Sequence, residues 1–168
     1  MARLSEVFPR CSFSEVALID KALKDLSATE WEALCDGCGK CCLHKFEDDD
    51  GKIYYTDVAC KLFDENTCKC KKYSKRHQYV KDCLSLTKRS VPKMNCLPAT
   101  CAYRLRYEGK PLKWWHYLVC GDKEMVHKAG ISARGRVVSE KGLSEEEIES
   151  RIVSWPNHIK AQRKKGLM

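Results

Sequence analysis

The run Cys35-Asp36-Gly37-Cys38-Gly39-Lys40-Cys41-Cys42 holds two Cys-x-x-Cys steps and ends in a vicinal pair. A thiolate is a soft ligand that selects zinc, copper(I) or iron–sulfur clusters, and a Cys-x-x-Cys step lets two sulfurs reach one centre from a single turn. Gly37 and Gly39 separate the first three cysteines, where they let the backbone turn tightly and bring amide N–H groups toward whatever the sulfurs hold. The run reads as a wrapping loop, and it predicts an irregular, cysteine-rich middle for the fold. Cys35, Cys38 and Cys41 match three cysteines of a ferredoxin-like [4Fe–4S] loop whose fourth ligand comes from elsewhere in the chain. They suit a four-cysteine zinc site with one remote partner equally well. A disulfide between neighbours would be strained, so Cys41 and Cys42 point to a bridging arrangement or to two separate centres.

The chain of 168 residues contains 12 cysteines, yet its length suffices to bury roughly 70% of the unfolded chain's surface, so a core does not depend on cross-links. Residues 1–25 carry Arg3, Glu6, Arg10, Glu15 and Asp20 and leave no continuous apolar stretch for a secretory signal. No run approaches the roughly 20 apolar residues of a membrane span. A cytoplasmic location is expected, and in that reducing compartment clustered cysteines are ligands or catalysts rather than cross-links. Cys60, Cys68, Cys70 and Cys83 follow the first run within lysine-rich sequence, and Cys96 and Cys101 flank Pro98, whose fixed φ favours a turn. Cys11 and Cys120 stand alone and read as small buried hydrophobes.

Around the cysteines the pattern is mainly helical. Val16, Ile19, Leu23 and Leu26 have helical spacing behind Ser14, and Ser27-Ala-Thr-Glu30 has the form of a capping box, which predicts N-terminal helices over 14–34. Glu47–Gly51 is an acidic turn and Lys52–Val58 has the composition of a strand, together a hairpin. Tyr73–Leu86 reads as a helix carrying Cys83, Leu112–Cys120 as a strand or turn, and Gly130–Val138 as a loop entering a strand. Ser144 followed by Glu145, Glu146 and Glu147 opens a C-terminal helix over about 144–165, with Pro156 ending or kinking it. The expected fold is one α+β domain, mainly α with short β-hairpins, in which residues 35–101 form the cysteine-rich core.

The net charge of +8 permits contact with nucleic acid or acidic surfaces without requiring it, and part of the basic excess offsets thiolates bound to metal. Tyr73, Tyr79, Tyr103 and Tyr107 interleave with basic residues, but no RNA-binding signature accompanies them. His116, Asp122 and His127 fall within a dozen residues and could ligate a metal, move protons or simply pack and hydrogen-bond, the last being the default for a histidine. No nucleophilic triad or phosphate-binding loop is present, so no catalytic constellation is identified.

Several segments carry a family resemblance. Cys35–Cys42, Tyr54-Tyr-Thr-Asp-Val-Ala-Cys60, Thr67-Cys-Lys-Cys70, Leu97-Pro-Ala-Thr-Cys-Ala-Tyr-Arg104, Trp114-Trp-His116 and Val126-His-Lys-Ala-Gly-Ile-Ser132 resemble the YcgN family, within the CxxCxxCC group assigned a zinc- or iron-chelating role. The resemblance runs from about Trp31 to about Glu140. It implies a metal site drawn from Cys35, Cys38, Cys41, Cys42, Cys60, Cys68, Cys70, Cys83 and Cys101, the nine cysteines that the residue pattern also sets apart. Cys96 stands where the family has tryptophan, and Tyr117 and Cys120 where it has proline and serine, which argues against Cys96 and Cys120 as essential ligands. The reading is a protein that coordinates zinc or iron, the latter as an iron–sulfur cluster such as [4Fe–4S], in a redox, sensing or metal-handling role. The alternative is a zinc-stabilised module that binds RNA or a protein partner through its basic surface.

Overall fold

The computed structural model describes residues 18–156. Residues 18–20 are helical, but the chain breaks at Lys21 and makes a 3-10 turn at Leu23–Asp25, so the first expected helix does not continue to Leu26. Its start at Ser14 lies outside the described residues. The capping box at Ser27 forms as its spacing requires. The Ser27 hydroxyl accepts the Glu30 N–H at 3.2 Å, the Glu30 carboxylate accepts the Ser27 N–H at 2.6 Å, and α1 spans Ala28–Glu32. Trp31 on α1 donates its indole N–H to the Leu86 carbonyl at 2.8 Å and packs 4.8 Å from the Tyr103 ring.

Beyond the cysteine run, β1 (Leu43–Glu47) and β2 (Ile53–Ala59) form the expected hairpin, paired Lys45 to Tyr55 and Glu47 to Ile53. Asp48 closes its turn by accepting the Lys52 N–H at 2.8 Å. A second, smaller hairpin joins β3 (Phe63–Asp64) to β4 (Lys69–Cys70). Short helices follow: α2 at Arg76–Tyr79, α3 at Ala102–Tyr107, α4 at Tyr117–Cys120 and α5 at Met125–Lys128. Then β5 (Val138–Ser139) adds to β2 in parallel, and α6 (Glu145–Glu149) starts from a second complete capping box at Ser144. This is the expected α+β class.

Three expectations are corrected. Tyr73–Leu86 is not one helix, because α2 ends at Tyr79 with Val80 already extended, and Cys83 lies beyond it on a turn. No side chain caps the start of α2, and none of its residues is buried, so nothing propagates it. Leu112–Cys120, expected as a strand or turn, turns at Trp114 and Trp115 and then enters helix α4, with His116 as its N-cap. The C-terminal helix stops at Glu149 instead of running to about 165. Ile152 instead bridges to Thr56 and the Trp155 indole donates to the Thr56 carbonyl at 3.0 Å, so the last described residues lie extended along β2. Residues 157–165 of that expectation lie outside the described residues.

Three buried clusters meet at the cysteine run. Leu34, just before it, packs with Leu26, Trp31, Leu97, Tyr103 and Leu118. Cys38, inside it, packs with Trp115, Val126 and Ile131. Leu43, just after it, packs with Ala59, Phe63, Cys68, Ala133 and Trp155. Each cluster therefore anchors a different point of the loop and leaves its sulfurs between them.

Candidate metal centre

The loop takes its shape from local chemistry. The Asp36 carboxylate accepts the Cys38 N–H at 3.0 Å, an Asx-type turn, and Gly37 and Gly39 adopt φ of 75° and 77°. A side chain at Gly39 would place its Cβ 2.7 Å from the Phe63 ring, so this position demands glycine twice, for conformation and for space. After Gly39 a 3-10 turn, Lys40–Cys42, leads into β1, and the Ala133 N–H donates to the Cys38 carbonyl at 2.8 Å to close the later loop over the run.

All eleven cysteines among the described residues are free thiols. Cys41 and Cys42 have their sulfurs 4.0 Å apart and face different company. The charge of Cys41 bears on Cys35, Cys38 and Cys101, one group, and also on Cys83. Cys42, Cys60, Cys70 and Cys83 bear on one another as a second group, which Cys41 joins through Cys42 and Cys83. The hairpin builds this second group, since Cys42 and Cys60 flank its open end and the Cys60 N–H donates to the Cys42 carbonyl at 3.0 Å. Cys42, Cys60, Cys70 and Cys83, with Cys41 and Cys96, line a cavity of about 660 Å³. Cys101 is the residue before α3 and joins the first group from 60 residues beyond Cys41.

Cys68 is placed apart from both groups. It lies in the buried cluster around Phe63, beside Gly39, and has φ of 55°. The αL backbone at Cys68 ends the turn that brings β4 back onto β3.

Burial dominates the thiol electrostatics. It pushes Cys38 well up and Cys101 to about 12, with the Cys41 charge adding to both. Cys35 is pushed up as well, although it is exposed at the rim, so water there offsets more of the cost than at buried Cys38. Cys41 alone goes down, to about 7, through its contact with the Cys42 thiol, in which either sulfur can donate, while Cys42 is pushed up by the same contact. Two ammonium groups stand close by. Lys40 is 1% exposed, donates to the Pro156 carbonyl at 3.0 Å and is lowered by burial, while Cys38 and then Asp36 pull it back up. Lys45 donates to the Cys41 and Leu43 carbonyls at 2.9 and 2.7 Å.

Among the described residues no group of three or more His, Cys, Asp or Glu side chains is drawn together as a finished metal cage. The donor set nevertheless fits a soft or borderline cation. Thiols that ionise side by side repel one another, and a dication between them removes that repulsion. The buried Lys40 ammonium supplies positive charge that metal-bound thiolates would balance.

The three residues singled out downstream are engaged elsewhere. His116 is 2% exposed, and both ring nitrogens are used: Nε2 donates to the Leu34 carbonyl at 3.0 Å, and Nδ1 accepts the Leu118 N–H at 3.1 Å. Those partners require the neutral tautomer, in keeping with a pKa lowered by burial. His127 Nδ1 bonds the Ser132 hydroxyl at 2.7 Å, and Asp122 pairs with Lys128 at 2.8 Å. Residue patterning missed His44, Lys45 and Glu140, which share the cavity with the second thiol group. Only His44, two residues after Cys42, stood close enough in sequence to be found.

The CXCXC repeat family model matches residues 61–71. A UPF0260 protein of Rhizobium etli strain CIAT 652 is 54% identical over 137 residues, 81% of this chain and 87% of the relative. UPF0260 proteins of Rhizobium johnstonii and of Rhodopseudomonas palustris strain BisA53 are 53% and 49% identical, covering 81% and 86% of this chain and 87% and 86% of theirs. No solved structure matches the chain.

Proposed function

The chain belongs to the UPF0260 family, and from that premise we propose that it is a metal-binding protein holding zinc or iron through two thiolate centres. Cys35, Cys38, Cys41 and Cys101 would hold the first, and Cys42, Cys60, Cys70 and Cys83 the second. The observation that carries the reading is the convergence of Cys41, Cys42, Cys60, Cys70 and Cys83 on one cavity, with the sulfurs of Cys41 and Cys42 4.0 Å apart. The resemblance to the YcgN family, in the CxxCxxCC group, points the same way. The bound group would supply Lewis acidity if it is zinc, and electron transfer or sensing if it is an iron–sulfur cluster. The chain's own residues do the rest. Lys40 and Lys45 offset thiolate charge, Gly37 and Gly39 let the loop wrap, and the Trp115 cluster keeps water from the Cys38 side. A reducing, cytoplasmic setting suits this number of free thiols.

Anaerobic purification without added metal, followed by elemental analysis, sulfide assay and an absorption spectrum, tests the reading. Stoichiometric zinc, or iron matched by sulfide with broad visible absorption, is expected. Cys101→Ser should lose about half of the bound metal, and Cys68→Ser should keep all of it. A native protein without stoichiometric metal overturns the proposal.

A further inference from the structure

The cavity carrying the second thiol group has a wall that the thiols do not account for. His44 on β1 and Glu140 just after β5 both line it, and His44 Nε2 is hydrogen-bonded to Glu140 Oε2. The carboxylate is anchored independently. Its other oxygen accepts the Lys61 N–H at 2.7 Å, and the Glu140 N–H donates to the Ala59 carbonyl at 3.0 Å. Glu140 thereby ties together the two ends of the hairpin that carry the thiols, at His44 two residues past Cys42 and at Lys61 one residue past Cys60.

The backbone is irregular at the same place. Leu43 pairs with Ala59 but Lys45 with Tyr55, so β2 sets three residues opposite the single residue His44. A bulge of this kind re-aims the facing side chain and is a feature of functional sites. The buried Thr56 hydroxyl donates to the His44 carbonyl at 2.9 Å and fixes that geometry. Because a carboxylate only accepts, Nε2 of His44 carries the proton, and in the neutral imidazole that leaves Nδ1 as the nitrogen with the lone pair. An imidazole oriented by a carboxylate in this way is the usual state of a metal-ligating histidine.

We propose that His44 is a nitrogen donor to the ion held in this cavity by three of the thiols Cys42, Cys60, Cys70 and Cys83, with Glu140 as its positioning residue. This rests on the metal-binding reading of those four thiols. Five donors then share one cavity while a zinc-class cation takes four, so the imidazole replaces one thiolate. Mixed sulfur and nitrogen ligation suits a divalent zinc-class ion. The first centre remains all sulfur, since the nearby His116 has both ring nitrogens occupied.

The test uses full-length protein loaded with cadmium-113 and nitrogen-15, with long-range proton–nitrogen spectra of the histidine rings. One ring should show scalar coupling between its nitrogen and cadmium. In His44→Ala that coupling should vanish while cadmium per chain is retained, because four thiols remain. Glu140→Gln should weaken or broaden it at unchanged cadmium content, an effect that a purely structural role for Glu140 would not produce. Loaded wild-type protein in which no histidine couples to cadmium, or a coupling that survives in His44→Ala, overturns this inference and leaves the thiolate centres standing. A protein that takes up no cadmium overturns the metal-binding reading and this inference with it.

Discussion

Replacing Gly39 with alanine isolates how the cysteine loop is shaped. Gly39 and Gly37 have nearly the same backbone, φ of 77° and 75°, so an alanine at either incurs the same left-handed penalty of about 1–2 kcal/mol. Their surroundings differ. Around Gly37 nothing lies within 4 Å of the added Cβ, whereas at Gly39 it would sit 2.7 and 2.9 Å from two Phe63 ring atoms and 3.3 Å from the Cys68 Cβ. Phe63 is 7% exposed and packed, so the ring cannot simply swing away. Forcing such a contact costs about 1–3 kcal/mol more. Gly37→Ala should therefore lose about 1–2 kcal/mol and Gly39→Ala about 2–5 kcal/mol. At roughly 2–4 °C per kcal/mol for a chain of this size, Tm of Gly39→Ala should fall below that of Gly37→Ala by about 2–12 °C. Thermal unfolding of the reduced proteins measures this, and a double-mutant cycle with Phe63→Leu should recover about 1 kcal/mol or more of the extra loss. Equal losses at the two glycines, with no coupling to Phe63, would refute the contact as the cause.

Two further outcomes follow from electrostatics. The Lys21 ammonium, and then the Ser27 N–H, hold the Glu30 carboxyl down to about 2 from its ordinary 4.5. The folded value lies below the unfolded one, so this contribution is intact at neutral pH and is lost as pH falls from about 4.5 toward 2. Glu30→Gln should flatten the acid limb of a Tm-against-pH curve, and an unchanged limb would count against the Lys21 pair and the capping box as its source. In reduced protein stripped of metal, Cys41 should react with iodoacetamide with a half-maximal rate near pH 7, while Cys38 and Cys42 stay protected at that pH. Peptide mass spectrometry that found all three labelled alike would contradict the proton sharing between Cys41 and Cys42.

The elements legible in the sequence were those whose signals are local. Ser27 with Glu30 and Ser144 with Glu147 mark helix starts because a capping box satisfies its own donors within four residues. The turn at Asp48–Gly51 is similarly self-contained. The C-terminal helix misled for a definite reason. Ile148, Ile152 and Trp155 have helical spacing, yet only Ile148 is on a helix, and Ile152 and Trp155 are both claimed by Thr56 of β2. A partner almost 100 residues away outweighed the short-range pattern.

By itself, the sequence determined that the chain is rich in soft thiol donors and that Gly37 and Gly39 let the loop from Cys35 to Cys42 turn tightly, because ligand softness and glycine conformation are properties of the residues present. Only the tertiary structure decided which thiols keep company. Cys101 joins Cys41 through the packing of α3, and Cys60 meets Cys42 through hairpin register. Cys68 is turned into the core by a single αL residue, and Glu140 reaches His44 because β5 lies parallel to β2. Those pairings depend on how distant surfaces bury one another, which residue spacing along the chain does not encode.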